Sequence, residues 1–325
     1  MKSNFRTAGL AILCAGAVSA FSGAAQAITL LQPGYTDNNV ANLTQQNPFG
    51  SMALDAAGNV YLTESFSASI TRITPGGLVS NFLTVPGTNS LALERVGNTL
   101  YAGNQLGQVY SIDLTSPTPA ATLLGTASGS INGLAFAPGS FGAFAGNLIV
   151  ATNTGLQSMN VTSGALTGFS VGGTYSDVVF DGSDRLIAAN YSSGIQNVSS
   201  TGTVLSTIIG NGGFDGLAVS ASTGDIYAAN SGSLGGQIIE IDGTTLTTSS
   251  FANGAGFDGG FYPAAIAFSN DGGSLYYYER DFANNRNELN RIDGFPALAQ
   301  VPEPGMAALF ALGLAALGVA RRRRA

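Results

Sequence analysis

Six times along the chain an apolar triplet is followed by a turn rich in Gly, Asp or Asn and then by a second apolar triplet. A chain that repeats in this way must stack its repeats to bury them. The first triplets are Met52-Ala53-Leu54, Leu91-Ala92-Leu93, Leu134-Ala135-Phe136, Val178-Val179-Phe180, Leu217-Ala218-Val219 and Ile266-Ala267-Phe268, whose first residues lie 39, 43, 44, 39 and 49 positions apart. Second triplets include Val60-Tyr61-Leu62 and Ile226-Tyr227-Ala228. The turns between them, such as Asp55-Ala56-Ala57-Gly58-Asn59, supply residues that accept positive φ or bond their own backbone. A third segment alternates apolar and polar, as in Ile70-Thr71-Arg72-Ile73 and Ile238-Ile239-Glu240-Ile241, the period of a strand with one buried face. Fourth strands are visible in five units, at 78–83, 121–124, 165–171, 204–209 and 245–251, but the sixth unit has none.

Four strands per unit and six units predict an all-β chain, a six-bladed β-propeller with four-stranded blades spanning residues 28–299. Ile28-Thr29-Leu30-Leu31 is an apolar strand with no partner in its own neighbourhood, so it is expected to supply the outer strand of the last blade and close the ring. Composition agrees. Charged residues make up 10% against a usual share of about 25%, and Gly occupies 45 positions, which suits short strands joined by turns.

The two ends read differently. Residues 1–27 form a secretory signal peptide: Lys2 and Arg6, an apolar stretch from Ala8 to Phe21, then Ala25-Gln26-Ala27, with cleavage between Ala27 and Ile28. Residues 300–325 contain Val301-Pro302-Glu303-Pro304, an apolar run from Met306 to Ala320 read as a C-terminal hydrophobic helix, and Arg321, Arg322, Arg323 and Arg324. The prolines block helix before the run, and the arginines hold the cytoplasmic side of a membrane. This tripartite end resembles the PEP-CTERM sorting signal. The resemblance implies a Gram-negative bacterium and an exosortase-type membrane protease as partner, with cleavage near Pro302 to Pro304. It also implies transient membrane association through the helix, and release to the cell envelope, the cell surface or an extracellular matrix.

Charge and missing residue types narrow the chemistry. Lys2, Arg6 and the four terminal arginines belong to the ends, leaving six Arg against eighteen acids between them. An acidic surface repels phosphate backbones, so no nucleic acid is expected. The sequence has no His, its lone Cys14 lies in the leader, and Lys2 is its only lysine, which removes histidine-assisted nucleophiles, thiol chemistry, disulfides and Schiff bases from the mature domain.

The residues two positions before each inner triplet are Gly50, Asn89, Asn132, Ser176, Asp215 and Ala264, with Asp177 one place further in. They are expected near one mouth of the central channel, where carboxylate and amide oxygens suit a hard cation. The segments Met52 to Leu62 and Asp215 to Tyr227 resemble NHL-type or gluconolactonase-type propeller repeats. That resemblance implies a divalent metal at the mouth, Ca²⁺ being the one cofactor considered, with Asn89, Asn132, Asp177 and Asp215 as candidate ligands. Gly50-Ser51 stand where that family would place a Glu, and Asn132 and Asp215 lie two units apart instead of adjacent. Asn132-Gly133 and Asp215-Gly216 also read as plain tight turns. Two functions follow: a non-catalytic binding or structural propeller meeting extracellular polysaccharide or a surface protein, with no catalytic residue, or a Ca-dependent lactonase-like hydrolase with a degenerate metal site. A polar residue also recurs after the second strands, at Glu64, Asn104, Asn190, Asn230 and Glu279, and Tyr276-Tyr277-Tyr278 is read as core packing or a sugar-stacking face.

Overall fold

The computed structural model describes residues 28–43, 49–64, 67–87, 89–210, 213–230, 236–254, 265–281 and 286–298. The expected signal peptide, the expected terminal hydrophobic helix and the residues Pro302, Glu303, Pro304 and Arg321 to Arg324 lie outside them.

Among the described residues, twenty-five strands form six sheets around a central channel, each sheet being one blade of a β-propeller. Two N-terminal strands, β1 (Thr29–Leu30) and β2 (Thr36–Leu43), precede the blades. Blade one is β3 (Phe49–Leu54), β4 (Val60–Glu64), β5 (Ser69–Ile73) and β6 (Val79–Thr84). Blade two is β7 (Ser90–Val96), β8 (Thr99–Asn104), β9 (Gln108–Asp113) and β10 (Ala121–Thr126). Blade three is β11 (Ile131–Phe136), β12 (Asn147–Thr152), β13 (Gly155–Asn160) and β14 (Leu166–Gly172). Blade four is β15 (Tyr175–Phe180), β16 (Leu186–Asn190), β17 (Gly194–Val198) and β18 (Val204–Ile209). Blade five is β19 (Phe214–Val219), β20 (Ile226–Asn230), β21 (Gln237–Ile241) and β22 (Thr248–Asn253). Blade six contributes β23 (Ile266–Phe268), β24 (Ser274–Asp281) and β25 (Arg286–Asp293). The innermost strand of every blade runs the same way, so the ring has an upper face where these strands begin and a lower face where they end.

Burial follows the layering. Second strands are covered on both sides by neighbouring blades, and β12, β16 and β20 are buried at every position, which explains why they read as continuous apolar runs. Third strands alternate, and outer strands such as β18 are mostly exposed. The six apolar clusters coincide with the six junctions between blades.

The ring closes through a strand the apolar pattern does not reveal. The outer strand of blade six is β2, paired with β25 from Thr36↔Asp293 to Leu43↔Asn287. Ile28 to Leu31 instead lies along blade five, where β1 pairs with β22 over Thr29↔Asn253 and Leu30↔Ala252. The physical reason is packing: Ile28, Leu30 and Tyr35 cap the junction of blades five and six with Phe251, Tyr227 and Phe295, and the Tyr35 ring lies 4.7 Å from that of Phe295 and 4.9 Å from that of Phe251. β2, free of this apolar demand, is held by polar cross-strand bonds. The Tyr277 hydroxyl donates to both Asp37 oxygens at 2.9 and 3.0 Å, and the Asn39 amide donates to Asn290 at 3.1 Å.

Blade two also differs from expectation. Leu93, not Leu91, occupies the position of Met52, because Leu93 faces Ala102 as Met52 faces Leu62. β7 runs on past Arg95 to Val96 at its lower end and closes with a two-residue turn at Gly97-Asn98, and its apolar triplet begins two residues early.

One glycine carries a blade contact. Gly164, at φ +69°, sits where a Cβ would fall 1.8 Å from the Leu124 carbonyl of blade two. Replacing Gly164 by Ala should cost roughly 2 kcal/mol or more and lower the thermal midpoint by about 5 °C, as read by circular dichroism.

Candidate functional site

The innermost strands present one unpaired backbone edge to the channel, and buried backbone groups need partners. The structure supplies them from side chains of the preceding blade. Leu93 N donates to Ser51 Oγ at 3.1 Å, joining blade two to blade one. Phe136 N donates to Glu94 Oε1 at 3.1 Å, joining blade three to blade two. Asn132 Nδ2 donates to the Tyr175 carbonyl at 2.8 Å, joining blade three to blade four. Ser176 Oγ donates to the Phe214 carbonyl at 2.5 Å, and Leu217 N donates to Asp177 Oδ2 at 2.8 Å, joining blade four to blade five. At the lower rim the Arg95 guanidinium donates to the Gly97 carbonyl and to Asn270 Oδ1, and the Asn270 amide reaches the Asp55 carbonyl, joining blade six to blade one.

Asn132 and Ser176 occupy equivalent positions and make equivalent contacts, each with the carbonyl three places before the next inner triplet. Ser51 and Asp177 form a second equivalent pair one residue further in. The side chains are therefore staples repeated with the blades.

A cavity of about 350 Å³ fills the channel below these rungs, lined by Ser51, Glu94, Arg95, Asp177 and a lower rim that includes Phe136, Phe180 and Phe268. Asn132, Ser176 and Asp215 do not line it. Enclosure in the channel pushes the Glu94, Asp177 and Asp215 carboxyls each up to about 7. Desolvation dominates in all three. The neighbouring Asp177 charge adds to the shift at Glu94, and Asp215 adds to that at Asp177, while the backbone donors oppose it.

Of the four residues expected at the mouth, Asn132, Asp177 and Asp215 stand on adjacent rungs of the ring. Asn89 does not: the shift of blade two puts Leu91 in that place, and the Asn89 amide donates to Gln105 at 2.9 Å. Asp177 already accepts backbone N–H groups at both oxygens, from Val178 and Leu217, and Gly133 presses so closely that a Cβ there would lie 2.5 Å from Asp177 Oδ1. Asp215 and the Asn132 amide oxygen remain, short of the six to eight oxygens that Ca²⁺ takes. The set does not fit that ion, and among the described residues no three Asp, Glu, His or Cys are grouped to hold a metal.

Glu94 is the residue the sequence pattern hides. It takes the place of Ala53, Ala135, Val179, Ala218 and Ala267 in the other blades, a charged residue in a column of small apolar ones that shows only once β7 is shifted by two.

Of the residues after the second strands, Asn104 and Asn190 bond their own loops, whereas Glu279 accepts from the Asn290 amide on β25 at 2.7 Å. Asn104 Oδ1 accepts from Leu106 N and Gln108 N, both at 3.0 Å, and Asn190 Oδ1 accepts from Ser192 N and Ser193 N at 3.0 and 2.9 Å. Tyr276, Tyr277 and Tyr278 are all buried, as core packing requires.

With fold and rungs in hand, the class of protein is a six-bladed β-propeller. Solved structures agree at the level of fold. A streptogramin B lyase is 11% identical with a TM-score of 0.55, covering 80% of this chain and 97% of its own. A catalytically inactive virginiamycin B lyase from Staphylococcus aureus, bound to quinupristin, is 13% identical with a TM-score of 0.55, covering 80% and 99%. A Bacteroides thetaiotaomicron protein of unknown function is 13% identical with a TM-score of 0.60, covering 80% and 76%. No curated protein matches the chain. Residues 300–324 match the PEP-CTERM protein-sorting motif. The chain is thus a propeller that carries an envelope-sorting signal, exported and attached to the cell envelope.

Proposed function

We propose that this is a non-catalytic propeller displayed on the cell envelope, handed over by an exosortase-type protease acting near Pro302 to Pro304, and serving as a binding or structural ring toward extracellular polysaccharide or a surface protein. One observation carries the reading: five polar side chains of the inner strands, Ser51, Glu94, Asn132, Ser176 and Asp177, are bonded to the backbone of adjacent blades. A side chain that holds a blade in place is poorly free to attack a substrate or shuttle its proton. The lyase of the same fold is described as inactive when one histidine becomes alanine, and these 325 residues contain no histidine.

The test is a pair of thermal melts of residues 28–298, one with EDTA and one with millimolar CaCl₂, repeated for Asp215→Ala. For each protein the midpoints with EDTA and with CaCl₂ are expected to superimpose. A rise with Ca²⁺ that Asp215→Ala abolishes would instead support a metal-dependent hydrolase. For the sorting step, replacing Pro302, Glu303 and Pro304 by Ala should leave the full-length precursor in the membrane, as seen by immunoblot.

A further inference from the structure

The position of the last described residues relative to the sorting motif orients the propeller on the cell. β25 ends on the lower face at Asp293, after which Phe295 packs into the junction of blades five and six, its ring 4.9 Å from Phe268 and 5.3 Å from Tyr227. Leu298 N then donates to the carbonyl of Asp271, in the lower turn between β23 and β24, at 2.6 Å. The chain is therefore fixed to the lower face up to Leu298, and the sorting motif begins at residue 300.

Only eight Cα–Cα steps separate Leu298 from Met306, where the apolar run starts. Whatever their conformation, they span at most about 29 Å. The blades stand about 20 Å tall along strands of some six residues, before the turns at either end are added. Turning the upper face toward the bilayer would require the tether to climb the whole blade, leaving almost none of its length to reach the membrane.

We infer that the lower face is held toward the membrane and the upper face points away from it, so that the turns carrying Leu106 and Tyr191 are presented to the exterior and the Arg95–Asn270 rim to the bilayer. This rests on the envelope attachment proposed above. The lower face meets the lipid surface without entering it, since it carries Asp113, Asp242 and Asp271, whose carboxyls are held below their ordinary range by hydroxyl and backbone donors. Large apolar side chains are exposed on both faces, Leu106 at 57% and Tyr191 at 61% on the upper and Leu78 at 68% on the lower.

The mature domain has no cysteine, so single labels can be placed at will. Thr118→Cys and Thr244→Cys mark the lower face, and Leu106→Cys and Tyr191→Cys the upper. All four positions are exposed. Each full-length variant is made in a host lacking the processing protease and labelled with a donor fluorophore in isolated membranes, and energy transfer to a membrane-embedded acceptor dye is measured. Transfer from the two lower sites should exceed that from the two upper sites by about twofold or more, given the blade height. A membrane-bound chain with equal transfer from both faces, or more from the upper one, would overturn the orientation alone. A full-length chain found in the soluble fraction would overturn the attachment, and the orientation with it. Melts matching the parent chain confirm that each label leaves the fold intact, and two sites per face guard against one that does not.

Discussion

A chain lacking Thr36–Leu43 should show no cooperative melt at 25 °C or above, whereas one lacking only residues 28–31 should still melt cooperatively at a lower midpoint. β2 completes blade six over seven paired residues. Without it β25 becomes an open edge, and such edges invite aggregation. Its loss also removes Ala41 and Leu43 from the cluster that joins blade six to blade one through Met52, Tyr276 and Leu289. The Tyr277 hydroxyl, in a fully buried side chain, would lose Asp37, and a buried polar group without its partner costs about 1–3 kcal/mol. Together these losses rival the 5–15 kcal/mol that typically separates folded from unfolded states. By contrast β1 pairs at two positions, and the main loss on removing it is the buried Ile28, about 2–3 kcal/mol of burial. Leu43→Ala is the milder control, expected to cost about 2–3 kcal/mol.

Stability should be greatest near pH 4 and fall as the pH is raised to 8. Glu94, Asp177 and Asp215 titrate in the folded state near 7, well above the ordinary carboxylate range. Between about pH 4 and pH 7 the folded chain therefore holds protons that the unfolded chain has released, and stability declines as the pH rises through that window. For one such carboxyl standing alone, the loss across the window is roughly 4 kcal/mol. The three carboxyls interact, so their combined effect is smaller than three such contributions. A midpoint at pH 8 about 10 °C below that at pH 5 is the expected outcome. Below pH 4 the sign reverses, because Asp113, Asp242 and Asp271 hold folded values below the ordinary one and lose their bonded charge. A midpoint that rises steadily from pH 5 to 8 would contradict the placement of these carboxyls in the channel.

The blades were legible from sequence because each strand obeys a pattern that burial imposes. Doubly covered second strands are continuous runs such as Leu186-Ile187-Ala188, third strands alternate, and the turns carry Gly or Asp where the backbone needs them. What was not legible broke those patterns for local reasons. β2 reads Thr-Asp-Asn-Asn-Val-Ala-Asn-Leu, a composition that strands avoid, and it pairs because Tyr277, Asn290 and Asp293 wait on the neighbouring strands to bond its polar side chains. Glu94 was hidden by the two-residue displacement of β7, which also led the eye to Asn89. The mouth residues Asn132 and Asp177 were found, but oxygens in a ring cannot declare from sequence whether they face a ligand or the next blade's backbone. That depends on how far apart the inner strands stand, which the packing of whole blades decides.

The claim that channel side chains staple the ring is tested most directly at Asp177, by comparing Asp177→Asn with Asp177→Ala in urea at pH 8. Asparagine gives up the bond from Val178 N but keeps an oxygen for Leu217 N, and it removes a charge that enclosure opposes, so it should stay close to the parent. Alanine leaves that N–H without a partner and should be less stable by about 1–3 kcal/mol. If the two variants were equally stable, or if asparagine were the worse, Asp177 would not be acting as a backbone staple, and the channel would have to be read as a site built around its charge.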